Sequence, residues 1–192
     1  ARELGLTLTS RDKGKKEKIP MCGVPYHSVE GYLSRLVDKG YKVAICEQVE
    51  DPKEAQGIVR REVVRVITPG TLIENKDLPK KQNNFLAAIS YQENYFGLAF
   101  ADVSTGEFFT TQAEQFEEII GEILRLQPAE ILISDQFQQI KFLKAKIQLL
   151  RKTQIATLEE AYFEPHKNYQ LLVNHFKTNS LEAFGCEHLI AA

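Results

Sequence analysis

Two rhythms of apolar residues run along the chain, a helical one early and an alternating one later. Val29, Tyr32, Leu33, Leu36 and Val37 recur at the spacing of one helical face. Ser28 stands just before them, where a hydroxyl can accept a bond from an unpaired backbone N–H. Gly40 stands just after, suited to a left-handed C-terminal cap. Val43 and Ile45 then alternate within residues 41–48, which predicts a short strand against which the helix packs. Ahead of the helix, Pro20, Gly23 and Pro25 fix a rigid loop. Earlier still, Leu4, Leu6 and Leu8 alternate with Gly5, Thr7 and Thr9 and predict a strand with one buried face. Residues 59–67 predict a longer strand, Val64 and Val66 facing one way and Val63, Arg65 and Ile67 the other, ended by a Thr68-Pro69-Gly70-Thr71 turn.

Past a polar stretch at 72–84 the rhythm becomes regular. Residues 85–91, 95–103 and 107–112 read as three strands separated by hairpin-length gaps. A helix over 114–126 follows, with Phe116, Ile119, Ile120, Ile123 and Leu124 on one face and Pro128 ending it. Residues 130–134 form an apolar strand of the kind covered on both faces. A helix over 136–146 is predicted with Asp135 as its cap, then a fifth strand at 147–150. A last helix has Pro165 in its first turn and Tyr169, Leu172, Val173 and Phe176 along its apolar side. Three antiparallel strands followed by alternating helices and strands is the order of a ribonuclease H-like fold. The fold class is therefore α/β: a small mixed α/β domain over 1–74, a linker over 75–84, and a ribonuclease H-like α/β domain over 85–192.

Composition narrows the function. The chain has 192 residues, 43% of them hydrophobic, enough for a real core. It has no long apolar run, so a transmembrane helix is not predicted and no membrane partner is expected. It opens Ala-Arg-Glu-Leu and closes Leu-Ile-Ala-Ala, which reads as a piece of something longer. Cys22, Cys46 and Cys186 are odd in number and lack Cys-x-x-Cys spacing, so neither a disulfide framework nor a zinc ribbon is expected. Reduced thiols fit a cytoplasmic protein, with Cys46 read as a small buried hydrophobe. Net charge is −2, but residues 1–75 carry 13 Lys/Arg against 11 Asp/Glu while 76–192 carry 11 against 15. A polyanion should meet the first part. There Arg11, Lys13, Lys15, Lys16 and Lys18 crowd around Gly14. They read either as phosphate contacts, each releasing counterions, or as a solvated loop tip.

The residues offer no complete catalytic set. A ribonuclease H-type nuclease needs three or four carboxylates around two metal ions, one of them midway along the first strand. That strand, Phe-Leu-Ala-Ala-Ile-Ser-Tyr, carries no acid. Asp102, Asp135 and Glu122 (or Glu117 or Glu118) are the residues a divergent nuclease would have to use; otherwise Asp135 caps a helix and the glutamates are a solvated face. No phosphate-cradling glycine motif occurs, and His27, His166, His175 and His188 are scattered. No metal site is expected.

The run Ile19-Pro20-Met21-Cys22-Gly23-Val24-Pro25-Tyr26-His27, then Val29-Glu30, Tyr32-Leu33 and Val43 to Gln48, resembles the MutS family of DNA mismatch repair proteins. The likeness continues through Val63 to Thr71 and Asn83 to Ile89. It implies most of a mismatch-binding domain, without the upstream Phe-x-Glu wedge that stacks on the mispaired base, plus most of a non-catalytic connector. Arg11, Lys13, Met21, Tyr26, His27 and Arg65 (or Arg60) are then the expected DNA contacts. Tyr169 and Gln170 are the expected surface for MutL. The same resemblance implies mismatched double-stranded DNA as ligand. ATP with magnesium, and homodimerisation, are implied only for the full-length protein, so the fragment is not expected to be an enzyme or to hold a cofactor.

Overall fold

A computed structural model describes residues 1–11, 18–53, 55, 57–73, 83–137, 139–147, 150 and 153–191. The chain divides into two compact units, Ala1–Gln82 and Asn83–Ala192. The predicted linker over 75–84 lies almost wholly outside the described residues.

The first unit has two small antiparallel ladders and one helix. Strand β1 (Thr9–Arg11) pairs with β2 (Ile19–Met21), Thr9 opposite Met21 and Arg11 opposite Ile19. A short 3-10 turn, Tyr26–Ser28, runs straight into helix α1 (Val29–Val37). Strands β3 (Val43–Gln48) and β4 (Arg61–Ile67) form the second ladder. Leu33, Val37, Ile67 and Leu72 are buried together, with Val29, Val43 and Ile45 packed on them. The helical spacing read from the sequence is thus the face that packs on the ladder.

Four local expectations are corrected here. Leu4, Leu6 and Leu8 do not form a strand: Arg2–Leu4 is a 3-10 turn, Gly5 is left-handed at φ 65, and Leu8 is exposed. The turn is tied to α1 instead, because Arg35 donates to the Leu4 carbonyl at 3.2 Å and the Lys39 ammonium donates to the Glu3 carbonyl. Ser28 occupies the N-cap position but its hydroxyl makes no capping bond; at φ −105, ψ −1 it lacks the extended backbone such a bond requires. Cys46 is exposed rather than buried. The ladder register jumps from Ile45–Arg65 to Cys46–Val63, leaving Val64 as an extra residue. Such a bulge reverses the alternation beyond it, so Val63 is turned outward with Val64 and Val66 while Ile67 stays buried. At the helix end, Gly40 (φ 86) does act as a cap. Its N–H donates to the Val37 carbonyl (2.8 Å) and that of Tyr41 to the Leu36 carbonyl (3.0 Å), the paired bonds of a Schellman motif.

The second unit is a five-stranded sheet ordered β7-β6-β5-β8-β9. Its strands are β5 (Phe85–Gln92), β6 (Tyr95–Asp102), β7 (Glu107–Ala113), β8 (Glu130–Ser134) and β9 (Gln154–Leu158). The first three are antiparallel and β8 and β9 run parallel to β5, which is the ribonuclease H arrangement. Glu93 and Asn94 both have positive φ, as a two-residue hairpin connection demands. Helices α2 (Phe116–Leu126) and α3 (Ile140–Ile147) bury Phe116, Ile119, Ile120, Ile123, Leu143 and Ile147 against Ala87, Ile89, Leu98, Phe100, Ile131 and Ile133 of the sheet. Helix α4 (Pro165–Phe176) buries no residue fully. Its cap is Glu164, whose carboxylate accepts from the Lys167 N–H at 2.9 Å.

Two expectations change in this unit. Among the described residues Asp135 makes no capping bond; the Ser134 hydroxyl accepts the Gln136 N–H at 2.9 Å, and α3 starts only at Ile140. Of the strand expected over 147–150, Ile147 belongs to α3 instead, and residues 148 and 149 lie outside the described residues. Ile147 lies four residues after Leu143 on the buried side of α3, so the helix retains it, and the fifth strand forms at Gln154–Leu158.

Candidate nucleic-acid interface

The segment from Met21 to Ser28 is held at both ends. At its start, the Thr9 hydroxyl donates to the Met21 carbonyl at 3.0 Å, closing the β1–β2 hairpin. At its end, the Ser28 N–H donates to the Pro25 carbonyl at 2.9 Å, and the turn passes into α1, whose Leu33 and Val37 are core residues. Pro20 and Pro25 restrict the backbone between. Yet its side chains face solvent: Met21 is 48% and Tyr26 89% exposed, and His27 is exposed too. A tyrosine so exposed on so constrained a backbone adds nothing to its own core. Its ring is free to stack on or pack against something else.

Cations flank this segment unevenly. Arg11 ends β1 opposite Ile19, and Lys18 is exposed just before β2. Lys13 lies outside the described residues. Arg65 is placed differently: it is half-buried on β4, with Nη1 3.8 Å from the Glu30 carboxylate in the first turn of α1. Its Nη2 is buried with no hydrogen-bond partner among the described residues. Arg60 is exposed and paired with the Glu62 carboxylate. The Glu30–Arg65 link joins two elements far apart in sequence, and no local spacing signals it.

In the second unit the acids of the nuclease reading are dispersed. Asp102 lies opposite Phe85 at the start of β5, whereas Asp135 follows Ser134, beyond the Ile89–Ile133 pair. Six residues of strand separate those levels, roughly 20 Å at about 3.3 Å per residue. Glu122 is engaged by Arg125 on the surface of α2, at 2.6 and 3.0 Å. Among the described residues no three His, Cys, Asp or Glu side chains group to hold a metal ion. Asp102 has a structural task instead. It is 1% exposed, and its carboxylate accepts from the Ser104 hydroxyl (2.6 Å), the Ser104 N–H (2.8 Å) and the Asn84 N–H (3.0 Å). Burial pushes this carboxyl up, but those donors outweigh burial and hold it below its ordinary range.

Tyr169 and Gln170 also part company. The Tyr169 hydroxyl donates to Glu187 at 3.1 Å, and burial together with that carboxylate raises its pKa. Glu187 accepts the Leu181 N–H as well (3.0 Å), so the pair fastens the segment after α4. Gln170 is exposed on α4. The 18-residue separation of Tyr169 and Glu187 left no trace in the sequence pattern. No helix among the described residues is long and apolar enough to cross a membrane.

Comparison with known proteins agrees with this geometry. The family model for MutS domain I matches residues 1–76 and that for MutS domain II matches residues 84–192. The DNA mismatch repair protein MutS of Halothermothrix orenii is 48% identical over 195 residues, covering 100% of this chain and 21% of the relative. That of Symbiobacterium thermophilum is 46% identical over 193 residues, covering 98% and 22%. That of Dehalococcoides mccartyi is 48% identical over 189 residues, covering 98% and 21%. The chain thus spans about a fifth of the length of these relatives. Neither the matches nor the dispersed acids support the metal-dependent nuclease.

Proposed function

The chain belongs to the MutS family of DNA mismatch repair proteins, carrying its domains I and II, and from that premise we propose how its two units act. The first unit contributes supporting contacts to mismatched duplex DNA. Met21, Tyr26 and His27 pack against the duplex, while Arg11 and Lys13 neutralise phosphates. Backbone contacts of this kind fix position and carry no mismatch information. Mismatch selectivity then comes from kinking the weakly stacked step, a task the family gives to its wedge. Arg65 acts indirectly, holding the start of α1 through Glu30 so that the preceding loop keeps its shape. The second unit is a connector without catalysis. Gln170 is its candidate contact for MutL, with Tyr169 positioning the segment beside it. ATP, magnesium and homodimerisation belong to the full-length protein. A cytoplasmic location is consistent with Cys22, Cys46 and Cys186 all being free thiols.

The observation that carries this reading is Tyr26, 89% exposed on a backbone pinned at both ends. Fluorescence anisotropy with a labelled mismatched duplex tests it. Weak binding that falls steeply with salt is expected, weakened further by Tyr26→Ala and by Arg11→Glu. Arg11→Glu should also lower the log–log salt slope by about 1, for one lost phosphate contact. Binding that stays flat across the salt titration, or that ignores both substitutions, overturns the reading.

A further inference from the structure

We infer that helix α3 carries a second contact for the phosphodiester backbone of duplex DNA, separate from the Met21–His27 segment. The inference rests on the reading that this chain engages DNA. Residues 83–192 are acidic overall, with 8 Lys/Arg against 14 Asp/Glu. Five of those eight cations fall within residues 141–152, and no acid occurs from 136 to 158. A surface built for solubility alone would mix the two signs; this one segregates them.

The structure fans three of those cations around the solvent side of one helix: Lys141 and Lys144 are neighbours at i, i+3, and Lys146 stands on the opposite flank, roughly 160° round from Lys144. Lys141, Lys144 and Lys146 are all exposed on α3, whereas Leu143 (0% exposed) and Ile147 (8%) are sunk in the core. The helix cannot turn its lysines away without tearing Leu143 and Ile147 out. Lys146 is steadied further, its ammonium 5.2 Å from the centre of the Phe142 ring. Lys141 and Lys144 make no ion pair with a described residue. Arg125 on neighbouring α2 is the contrast, neutralised by Glu122. Among the described residues the charge of Lys141 and Lys144 is therefore uncompensated, on a helix anchored by Leu143 and Ile147. From Lys141 to Lys146 the helix axis rises about 7.5 Å. Duplex DNA presents about four negative charges over that length, one per ~1.7 Å. A linear polyanion of that density is the occupant that Lys141 and Lys144 complement from one flank of the helix, with Lys146 reaching it from the other.

The test uses the whole 192-residue chain, a labelled, fully paired 30-base-pair duplex, and affinity measured from 25 to 200 mM KCl. The Lys141→Gln/Lys144→Gln/Lys146→Gln variant should lose about 2.7 from the log–log salt slope, at 0.9 per phosphate contact. The wild type's advantage over the variant should then shrink about 40-fold between 50 and 200 mM salt. If the triple variant fails to fold, Lys144→Gln alone should still remove about 0.9 from the slope. A wild-type slope in the lysine variants, with Tyr26→Ala still weakening binding, overturns this inference and leaves the first-unit reading standing. A reduced slope together with no effect of Tyr26→Ala or Arg11→Glu does the reverse. No binding of the wild type at 25 mM overturns both. Displacement of the duplex by polyglutamate at equal charge concentration also overturns it, marking α3 as a surface for acidic protein.

Discussion

Replacing Asp102 with alanine tests whether the acids of the second unit are structural. The carboxylate accepts three bonds, from the Ser104 hydroxyl and N–H and from the Asn84 N–H. They are not equal in consequence. Ser104 is exposed, so its two donors find water once the carboxylate is gone, at a cost of about 0.5–1 kcal/mol each. The Asn84 N–H is half-buried, and losing its charged acceptor costs about 1–2 kcal/mol. The sum is about 3 kcal/mol, which for a domain of this size lowers the midpoint of thermal unfolding by roughly 10–20 °C. Urea denaturation followed by far-UV circular dichroism measures it, and only the transition of the unit carrying Asp102 should move. The pH dependence gives an independent check. The folded carboxyl is held below its ordinary pKa of 3.8. Its stabilisation is therefore complete above that value and is lost as pH falls through the lowered folded pKa. The gap between wild type and Asp102→Asn should be constant near neutrality and close in strong acid. A cost below about 0.5 kcal/mol, or a manganese-dependent cleavage that vanishes while stability stays unchanged, would refute the structural role.

Two further outcomes follow from local geometry. Gly40→Ala places a side chain at φ 86 and should destabilise the first unit by about 1 kcal/mol in the same urea assay; an unchanged midpoint would mean the Schellman cap is not needed. Tyr169→Phe should remove the last-titrating phenol from the ultraviolet absorbance titration and speed amide exchange at Leu181, since Glu187 holds both groups; difference curves showing the loss of an ordinary tyrosine would contradict the pairing.

Elements were legible where one residue pattern had one packing solution. The apolar positions of α1 and α2 fall on the faces that are buried, and the hairpin-length gaps at 92–94 and 104–106 do connect neighbouring strands. Reading failed where the deciding partner was remote. Leu4, Leu6 and Leu8 alternate like a strand, but Arg35 and Lys39 of the α1 region draw that stretch into a turn. Val63 was assigned its face by strict alternation, and the bulge at Val64 reverses it; Cys46, read as a small buried hydrophobe, instead follows the alternation of β3 to the exposed side opposite Val43 and Ile45. The fifth strand was misplaced because Ile147 serves α3, a choice that only the depth of the core at Leu143 decides. At the site, Pro20, Gly23 and Pro25 marked a rigid loop, but Met21, Tyr26 and His27 were singled out only through the MutS resemblance, and spacing did not signal their exposure. The engagement of Arg65 by Glu30 and of Tyr169 by Glu187 was not, since neither pair shares an element.

The connector role proposed for this sheet fits where its acids lie. A metal pair needs carboxylates converging at one level of neighbouring strands. Here the middle of β5 presents Ala87, Ala88 and Ile89, with Ala87 and Ile89 in the core under α2 and α3. Asp102 is drawn to one end of the sheet by the Ser104 turn, and Asp135 follows β8 at the other. A carboxylate introduced at Ala87 or Ile89 would have to enter that apolar core, at a desolvation cost the unit could not offset without a partner. What the unit does display is positive charge on α3 and polar surface on α4. The first is borne on a helix that Leu143 and Ile147 anchor in the core of the sheet, which suits the proposed role of a part that transmits position between partners.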